Sequence, residues 1–252
     1  MKGAIVYKPD SKELAKEVAE FVNSNGFQAE IVDFDKNLER YDFIIVIGGD
    51  GTILRVLQSV KNCPPIFAVN TGRVGLLTHC EPHEYKSVLI EALSNFEVEE
   101  FMRLCCVVDD RELLALNEFA ILCSTPAKLV EMNVYVDDVK VESLRCDGML
   151  ISTPVGSTAY ALSTGGPIID PYLNSILIVP VAPFKLGWKP WVVRDDRIVR
   201  LEFDRSVFIV ADGQSKIEHE ESVEIRKSNY PARFFRISDR LRRTVEKLKK
   251  IC

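Results

Sequence analysis

The stretch FIIVIGGDGTILRVLQSV, residues 43–60, decides the fold. It opens as one of the most apolar runs of the chain and reads as a buried strand. It breaks at Gly48-Gly49-Asp50-Gly51-Thr52 and resumes with Leu54, Leu57 and Val60 at helical spacing. A strand that passes through glycines into a helix gathers backbone N–H groups and a helix N-terminus around one point, and both favour an anion there. Gly48, Gly49 and Gly51 permit backbone angles and a close ligand approach that side chains would obstruct. Asp50 does not fit a bare phosphate cradle, because a carboxylate repels phosphate oxygens unless a metal or a transferable proton intervenes. It therefore suggests chemistry: either it holds Mg2+, or it accepts a proton from a hydroxyl that attacks phosphorus. The plain structural alternative is a tight turn in which Asp50 caps the helix at Thr52. Arg55, one turn in, can reach back to a phosphate or simply sit exposed on the helix.

Outward from this motif, short aliphatic runs alternate with amphipathic stretches through the first hundred residues, the pattern of a parallel sheet covered by helices. Strands are expected at 3–7, 28–34, 43–47 and 65–70. A helix from Ser11 places Leu14, Val18, Phe21 and Val22 on one face and ends at Gly26. Another helix is expected to begin at Pro82, a residue favoured at the first helical position, and to carry Tyr85, Val88, Leu89 and Leu93. NTGRVGLLT, residues 70–78, follows the fourth strand at its carboxyl end, where ligands sit in an open α/β sheet. After about residue 96 the texture changes to many short β segments separated by turn residues, among them a hairpin at Asp137-Asp138, which suggests a sandwich-like second domain. The fold class is thus an α/β N-terminal domain plus a β-rich C-terminal domain. The division is expected to run 1–97 and 98–237, with a basic helix over 238–252 packing back on the first domain.

The chain's 252 residues, 47% of them hydrophobic, suffice for one large or two modest cores. Charged residues are mixed in sign and net to -5, which argues against a general nucleic-acid or anionic-membrane binder. Seven cysteines without a Cys-x-x-Cys pair suggest neither a disulfide framework nor a zinc knuckle, but thiols in a reducing cytosol. Three histidines without ligand-spaced partners read as structural or surface residues. No segment nears the ~20 apolar residues that cross a bilayer, so a soluble cytoplasmic protein is expected.

A second constellation is RCDGMLISTPVGSTAYALSTGGPIIDP, residues 145–171. Its irregular backbone needs hydrogen-bond partners, and the hydroxyls of Ser157, Thr158, Ser163 and Thr164 can serve the loop itself or a ligand. Tyr160 can stack on a flat ring such as a purine. In LNEFAIL, Asn117 and Glu118 sit side by side in an otherwise apolar strand, and desolvating both without partners is costly. One is expected to bond within the core and the other to face a pocket.

These residues carry a resemblance to the NAD kinases. It runs through GGDGT (48–52), NTGRVGLLT (70–78), NE (117–118), DGMLISTPVGSTAYALSTGGPI (147–168) and ADGQ (211–214), in the family's order and over most of the chain. GGDGT alone is shared with lipid kinases and related phosphofructokinases; the long serine- and threonine-rich block is far more specific. The resemblance implies transfer of a terminal phosphoryl group from ATP, or in some members polyphosphate, to the 2′-hydroxyl of the adenosine ribose of NAD, with Mg2+ or another divalent metal. It implies Asp50 as the base, with Gly51 beside the same ribose. Gly48, Gly49, Thr52 and Arg55 would lie near phosphate, and Asn117 and Glu118 would bind the dinucleotide. Lys128, Arg145, Asp147, Val155, Thr158, Ala159, Tyr160, Ala161, Leu162, Ser163, Ala182 and Gln214 would line its pocket. Homodimers or homotetramers in which a neighbouring subunit completes the site are implied as well.

The chain departs from the family at APFKLGWKP, residues 182–190, where many bacterial members carry a proline-histidine pair and a later Arg-Pro; Phe184 and Lys189 stand there instead. Val155 replaces a commoner threonine. Two competing readings are a lipid or sugar kinase built on the same phosphate loop and a catalytically silent NAD sensor, the latter disfavoured by the carboxylate at position 50.

Overall fold

A strand buried on both faces carries an unbroken apolar run, and the first third of the chain is built from such strands. The computed structural model describes residues 1–185, 187–238 and 240–249; the last three residues of the expected terminal helix, and Asp239, lie outside them. In chain order the first elements are β1 (Lys2–Tyr7), α1 (Lys12–Ser24), β2 (Gln28–Ile31), β3 (Phe43–Gly48), α2 (Asp50–Gln58), β4 (Ile66–Asn70), α3 (Tyr85–Asn95) and β5 (Val98–Phe101). Then come β6 (Leu104–Val108), β7 (Arg111–Ala115), β8 (Glu118–Cys123), β9 (Val130–Val136), β10 (Val139–Cys146), β11 (Gly148–Ser152), α4 (Tyr160–Ser163), β12 (Ser175–Val181), β13 (Trp191–Arg194), β14 (Val199–Phe203), β15 (Val207–Ala211), β16 (Ser215–His219) and β17 (Val223–Lys227). The chain closes with β18 (Ala232–Phe235) and α5 (Arg240–Leu248).

Two compact units result. One comprises Met1–Glu100 with Pro231–Cys252, the other Phe101–Tyr230. Strand β18, assigned from texture to the second domain, belongs to the first, because it pairs in parallel with β4 through Phe234 and Ile66.

The first unit is a six-stranded sheet of order β2-β1-β3-β4-β18-β5, parallel through β2, β1, β3, β4 and β18. Ile5, Phe43, Ile45, Ile47, Phe67 and Val69 share a core with Val18 and Val22 of α1 and Leu89 and Leu93 of α3. The alternate residues Ile44, Val46 and Ala68 are also fully buried, on the opposite face of the sheet, and α2 packs on β3 through its buried Ile53, Val56 and Leu57. Gly26, with φ +84°, follows the C-cap Asn25 of α1 and supplies the left-handed residue that ends the helix. Helix α3 starts at Tyr85, later than expected. Pro82 lies in a preceding turn closed by Glu84 N–H on the Glu81 carbonyl at 3.0 Å.

His79 is a core residue. Its Nδ1 accepts the Ala68 N–H at 3.0 Å, so the proton of the neutral ring is on Nε2, 2.9 Å from the Phe235 carbonyl. Burial and then the Arg240 guanidinium push it down to about 3. Two further contacts anchor the returning segment: buried Arg240 donates through Nε to buried Glu99 at 2.9 Å, and Leu248 is buried.

The second unit is a sandwich of two six-stranded sheets, β10-β9-β14-β17-β6-β7 and β13-β12-β11-β8-β15-β16. One shared core interleaves Met132, Val134, Leu201 and Ile225 from the first sheet with Phe119, Ile121, Met149, Ile178 and Ile209 from the second. Asp137, at φ +54°, turns the β9–β10 hairpin as expected.

Candidate active site

Parallel register brings two loops together in the first unit. Gly48 at the end of β3 pairs with Asn70 at the end of β4, so the segments that follow leave the sheet side by side, and Thr71 N–H closes onto the Gly48 carbonyl at 3.1 Å. The loops then touch through glycine: a Cβ built on Gly72 would stand 3.0 Å from the Gly49 Cα, and one on Gly49 would stand 3.3 Å from the Gly72 Cα. Any larger residue at either position would push the two loops apart.

This approach sets the Asp50 carboxylate. Gly49 is the N-cap of α2 and Asp50 its first residue. Asp50 Oδ2 accepts the backbone N–H of Leu76, and Oδ1 that of Leu77, each at 2.9 Å. The alternative in which Asp50 merely caps its own helix is overturned: the neighbouring loop holds the carboxylate, leaving each oxygen with lone pairs to spare. Leu76 and Leu77 are the central residues of a turn closed by Thr78 N–H on the Gly75 carbonyl at 3.2 Å. The turn depends on Gly75, at φ +68°, where a Cβ would meet Asn70 at 2.5 Å. Asn70 Oδ1 in turn accepts Gly72 N–H at 3.0 Å, and Lys8 Nζ donates to the Thr71 carbonyl at 2.8 Å. Gly51 is exposed, and a Cβ there would meet nothing within 4 Å. Arg55 is exposed, its guanidinium 4.2 Å from the centroid of the Phe34 ring.

In the second unit, antiparallel pairing does the same work. Strand β8 lies between β11 and β15, with Glu118 opposite Ser152 and Phe119 opposite Ala211. Asn117 and Glu118, the segment after Ser152, and Asp212 with Gln214 therefore emerge at one end of the sheet. Asp212 is buried and accepts the N–H groups of Leu116 at 2.8 Å, Asn117 at 2.7 Å and Glu118 at 3.3 Å. The Asn117 carbonyl takes Thr153 N–H at 2.9 Å, and a Cβ on Gly156 would fall 2.0 Å from that same oxygen. The backbone at 156 thus lies directly against Asn117, whose side-chain amide makes no hydrogen bond among the described residues.

Glu118 is buried and its Oε2 has no hydrogen-bond partner among the described residues. Burial, and then the nearby Asp212 carboxylate, push it up to about 8 against the opposing pull of the Tyr160 N–H. The hydroxyls expected to serve loop or ligand serve the loop at three positions: Ser157 donates to the Pro154 carbonyl at 2.6 Å, Thr158 to Val155 at 3.2 Å and Thr164 to Ala161 at 3.0 Å. Tyr160 is 39% exposed at the start of α4, with its ring free to meet a ligand. Ser163 is exposed as well, whereas Ala161 is fully buried and contributes packing. Val155, Ala159 and Leu162 are half-buried.

The remaining expected residues do not join this cluster. Gly148, at the other end of β11, pairs with Val181 and Leu122. Asp147 N–H donates to the Val181 carbonyl at 3.0 Å, and Phe184 N–H to the Arg145 carbonyl at 2.8 Å. Arg145 and Asp147 are thereby grouped with Ala182, which has φ +47°, and with Lys128 just ahead of β9; all four are exposed. The two groups are separated by the length of β11, about 13 Å at ~3.3 Å per residue.

Family models match both parts of the chain: residues 9–97 fit the ATP-NAD kinase N-terminal domain and residues 116–237 the ATP-NAD kinase C-terminal domain. The chain belongs to the NAD kinase family. It is 43% identical to an NAD kinase of Archaeoglobus fulgidus over 252 residues, the whole of both chains. It is 42% identical to one of Methanosarcina barkeri over 207 residues, 80% of this chain and 75% of the relative. The crystal structure of the Archaeoglobus fulgidus NAD kinase in complex with ATP superposes with a TM-score of 0.95 over 100% of both chains. Yeast NADH kinase complexed with NADH, at 21% identity, shares the fold with a TM-score of 0.85 over 99% of this chain and 87% of its own.

Three elements of the Asp50 and Asp212 clusters escaped the sequence reading. The N–H pair of Leu76 and Leu77 leaves no trace in residue type. Asp212 lies within the ADGQ motif, where only Gln214 was singled out; its acidic side chain next to a Gly at a strand end was the available signal. Lys247, whose Nζ donates to the Gly75 carbonyl and to Thr78 Oγ1, was one basic residue among many in the terminal helix.

Proposed function

We propose that this chain transfers the terminal phosphoryl group of ATP, or of polyphosphate, to the 2′-hydroxyl of the adenosine ribose of NAD, giving NADP. One observation carries the reading: the Asp50 carboxylate is fixed at the joint of strand, glycines and helix by two backbone N–H groups. That arrangement supplies a base with a set direction beside amides suited to phosphate. Asp50 accepts the proton of the 2′-hydroxyl as the oxygen attacks phosphorus, while Gly48, Gly49, Gly51 and Thr52 face the phosphates. The base contributes about 10²–10⁴-fold; alignment and charge neutralisation supply the rest.

Among the described residues no group of three or more His, Cys, Asp or Glu is placed to hold a metal. This fits a Mg2+ carried chiefly by the donor's phosphates, since that ion keeps waters and phosphate oxygens as most of its ligands, and it leaves Asp50 to act as the base. When bound, Mg2+ neutralises charge on the transferring group.

Asn117, Glu118, Tyr160 and Gln214 are assigned to NAD. The separate group Lys128, Arg145, Asp147 and Ala182 supports a homo-oligomer in which each copy offers that end of its sheet to the NAD of a neighbour. Six described cysteines, all unpaired, suit a reducing cytoplasm.

The test is a coupled assay in which purified protein receives NAD with either ATP or polyphosphate and NADP is read by an NADP-specific dehydrogenase. NADP formation with at least one donor is expected; none with either overturns the reading.

A further inference from the structure

Lys247 stands on the far side of the turn that grips Asp50. Its Nζ donates to the Gly75 carbonyl and, at 3.1 Å, to Thr78 Oγ1. The Gly75 carbonyl and the Leu76 N–H are the two ends of one peptide group, and that N–H is the one held by Asp50 Oδ2 at 2.9 Å. A cation placed on the oxygen of a peptide polarises it and strengthens the hydrogen bond its N–H donates. Thr78 reinforces the contact, its hydroxyl also reaching the Gly75 carbonyl at 2.8 Å. Helix α5 cannot slide freely under this contact, because Arg240 is paired with Glu99 at its start and Leu248 is buried at its end.

We propose that Lys247 is a positioning residue for Asp50, acting through the Gly75–Leu76 peptide to fix the direction of the carboxylate. The inference rests on Asp50 being the base. Burial and then the Arg243 charge hold the Lys247 ammonium below its ordinary pKa, with a smaller push from Arg240 in the same direction, while the Asp50 carboxylate and Glu81 favour the charged form.

The experiment compares Lys247→Gln, which keeps a donor without charge, with Lys247→Met and Lys247→Arg, following steady-state NADP formation from NAD and ATP. Circular dichroism checks that each is folded, and Gln is the reference if Met is not. Gln and Met are expected to lower kcat by roughly ten-fold or more with KM for NAD within about three-fold. Arg, which keeps a cation on the peptide oxygen, is expected to stay within about three-fold of the wild-type kcat. In an Asp50→Asn background, Lys247→Gln should cost less than about two-fold more, since its target is gone. Wild-type kcat in Lys247→Gln would overturn the proposal, as would equal losses for Gln and Arg. Full turnover by Asp50→Asn alone would instead remove Asp50 as the base.

Discussion

Asp212 Oδ1 accepts the backbone N–H of Asn117 at 2.7 Å although the two residues are 95 positions apart in the chain. The same carboxylate takes the N–H groups of Leu116 and Glu118, so one side chain fixes the start of β8. Asp212→Ala leaves buried donors without acceptors and is expected to lower stability by about 2–4 kcal/mol. Asp212→Asn, which tolerates the left-handed backbone at φ +52° and keeps one acceptor oxygen, should cost less. Equilibrium urea denaturation of the two variants checks the order; equal, small losses would mean that the donors find other partners.

Asp50→Asn should bind NAD with near wild-type affinity by calorimetry while kcat falls about 10²–10⁴-fold. The amide keeps one acceptor for the turn N–H groups but takes no proton. Unchanged turnover would leave the phosphate loop without its assigned base.

Glu118 gives a pH signature. Its folded-state value is raised from the ordinary 4.5 to about 8. Below about pH 4.5 folded and unfolded chains both carry the proton. Between the two values the folded chain binds more protons than the unfolded one, so this group's stabilising effect is lost as pH rises, and the loss is complete above about 8. The effect is at most on the order of a few kcal/mol. Glu118→Gln abolishes it. Melting temperatures at pH 5 and pH 9 should therefore diverge more for the wild type than for the variant; parallel shifts would show that Glu118 ionises normally.

Gly156→Ala places a methyl group 2.0 Å from the Asn117 carbonyl oxygen, with backbone on both sides of the clash. A stability loss of about 1–3 kcal/mol and a raised KM for NAD are expected together, since the clash displaces the segment bearing Asn117. Thermal melts and steady-state kinetics read both; a change in neither would mean that this segment yields freely.

Much of this was legible from local pattern. Strand β3 and helix α2 announce themselves because a continuous apolar run, a glycine break and a helical stripe each have a local cause. The twelve residues EVEEFMRLCCVV do not show that β5 and β6 belong to different sheets, since strand partners are chosen by distant segments. Pro82 misled because a proline suits the second place of a turn as well as the first turn of a helix. Lys247 was illegible for a related reason: its acceptor on Gly75 lies 172 positions away, and nothing in the identity of either residue points to the other.

The place of β18 between β4 and β5 in the sheet order governs how the molecule is made. A ribosome delivers β1 through β5 first, then the whole sandwich, and only afterwards the strand that fills the gap beside β4. Until then the nascent sheet carries an exposed edge, the kind of surface on which partly made chains stick to one another. Polypeptides released before Ala232–Phe235 would lack both that keystone and the lysine behind Asp50, so premature termination should yield insoluble, inactive fragments rather than a weak enzyme.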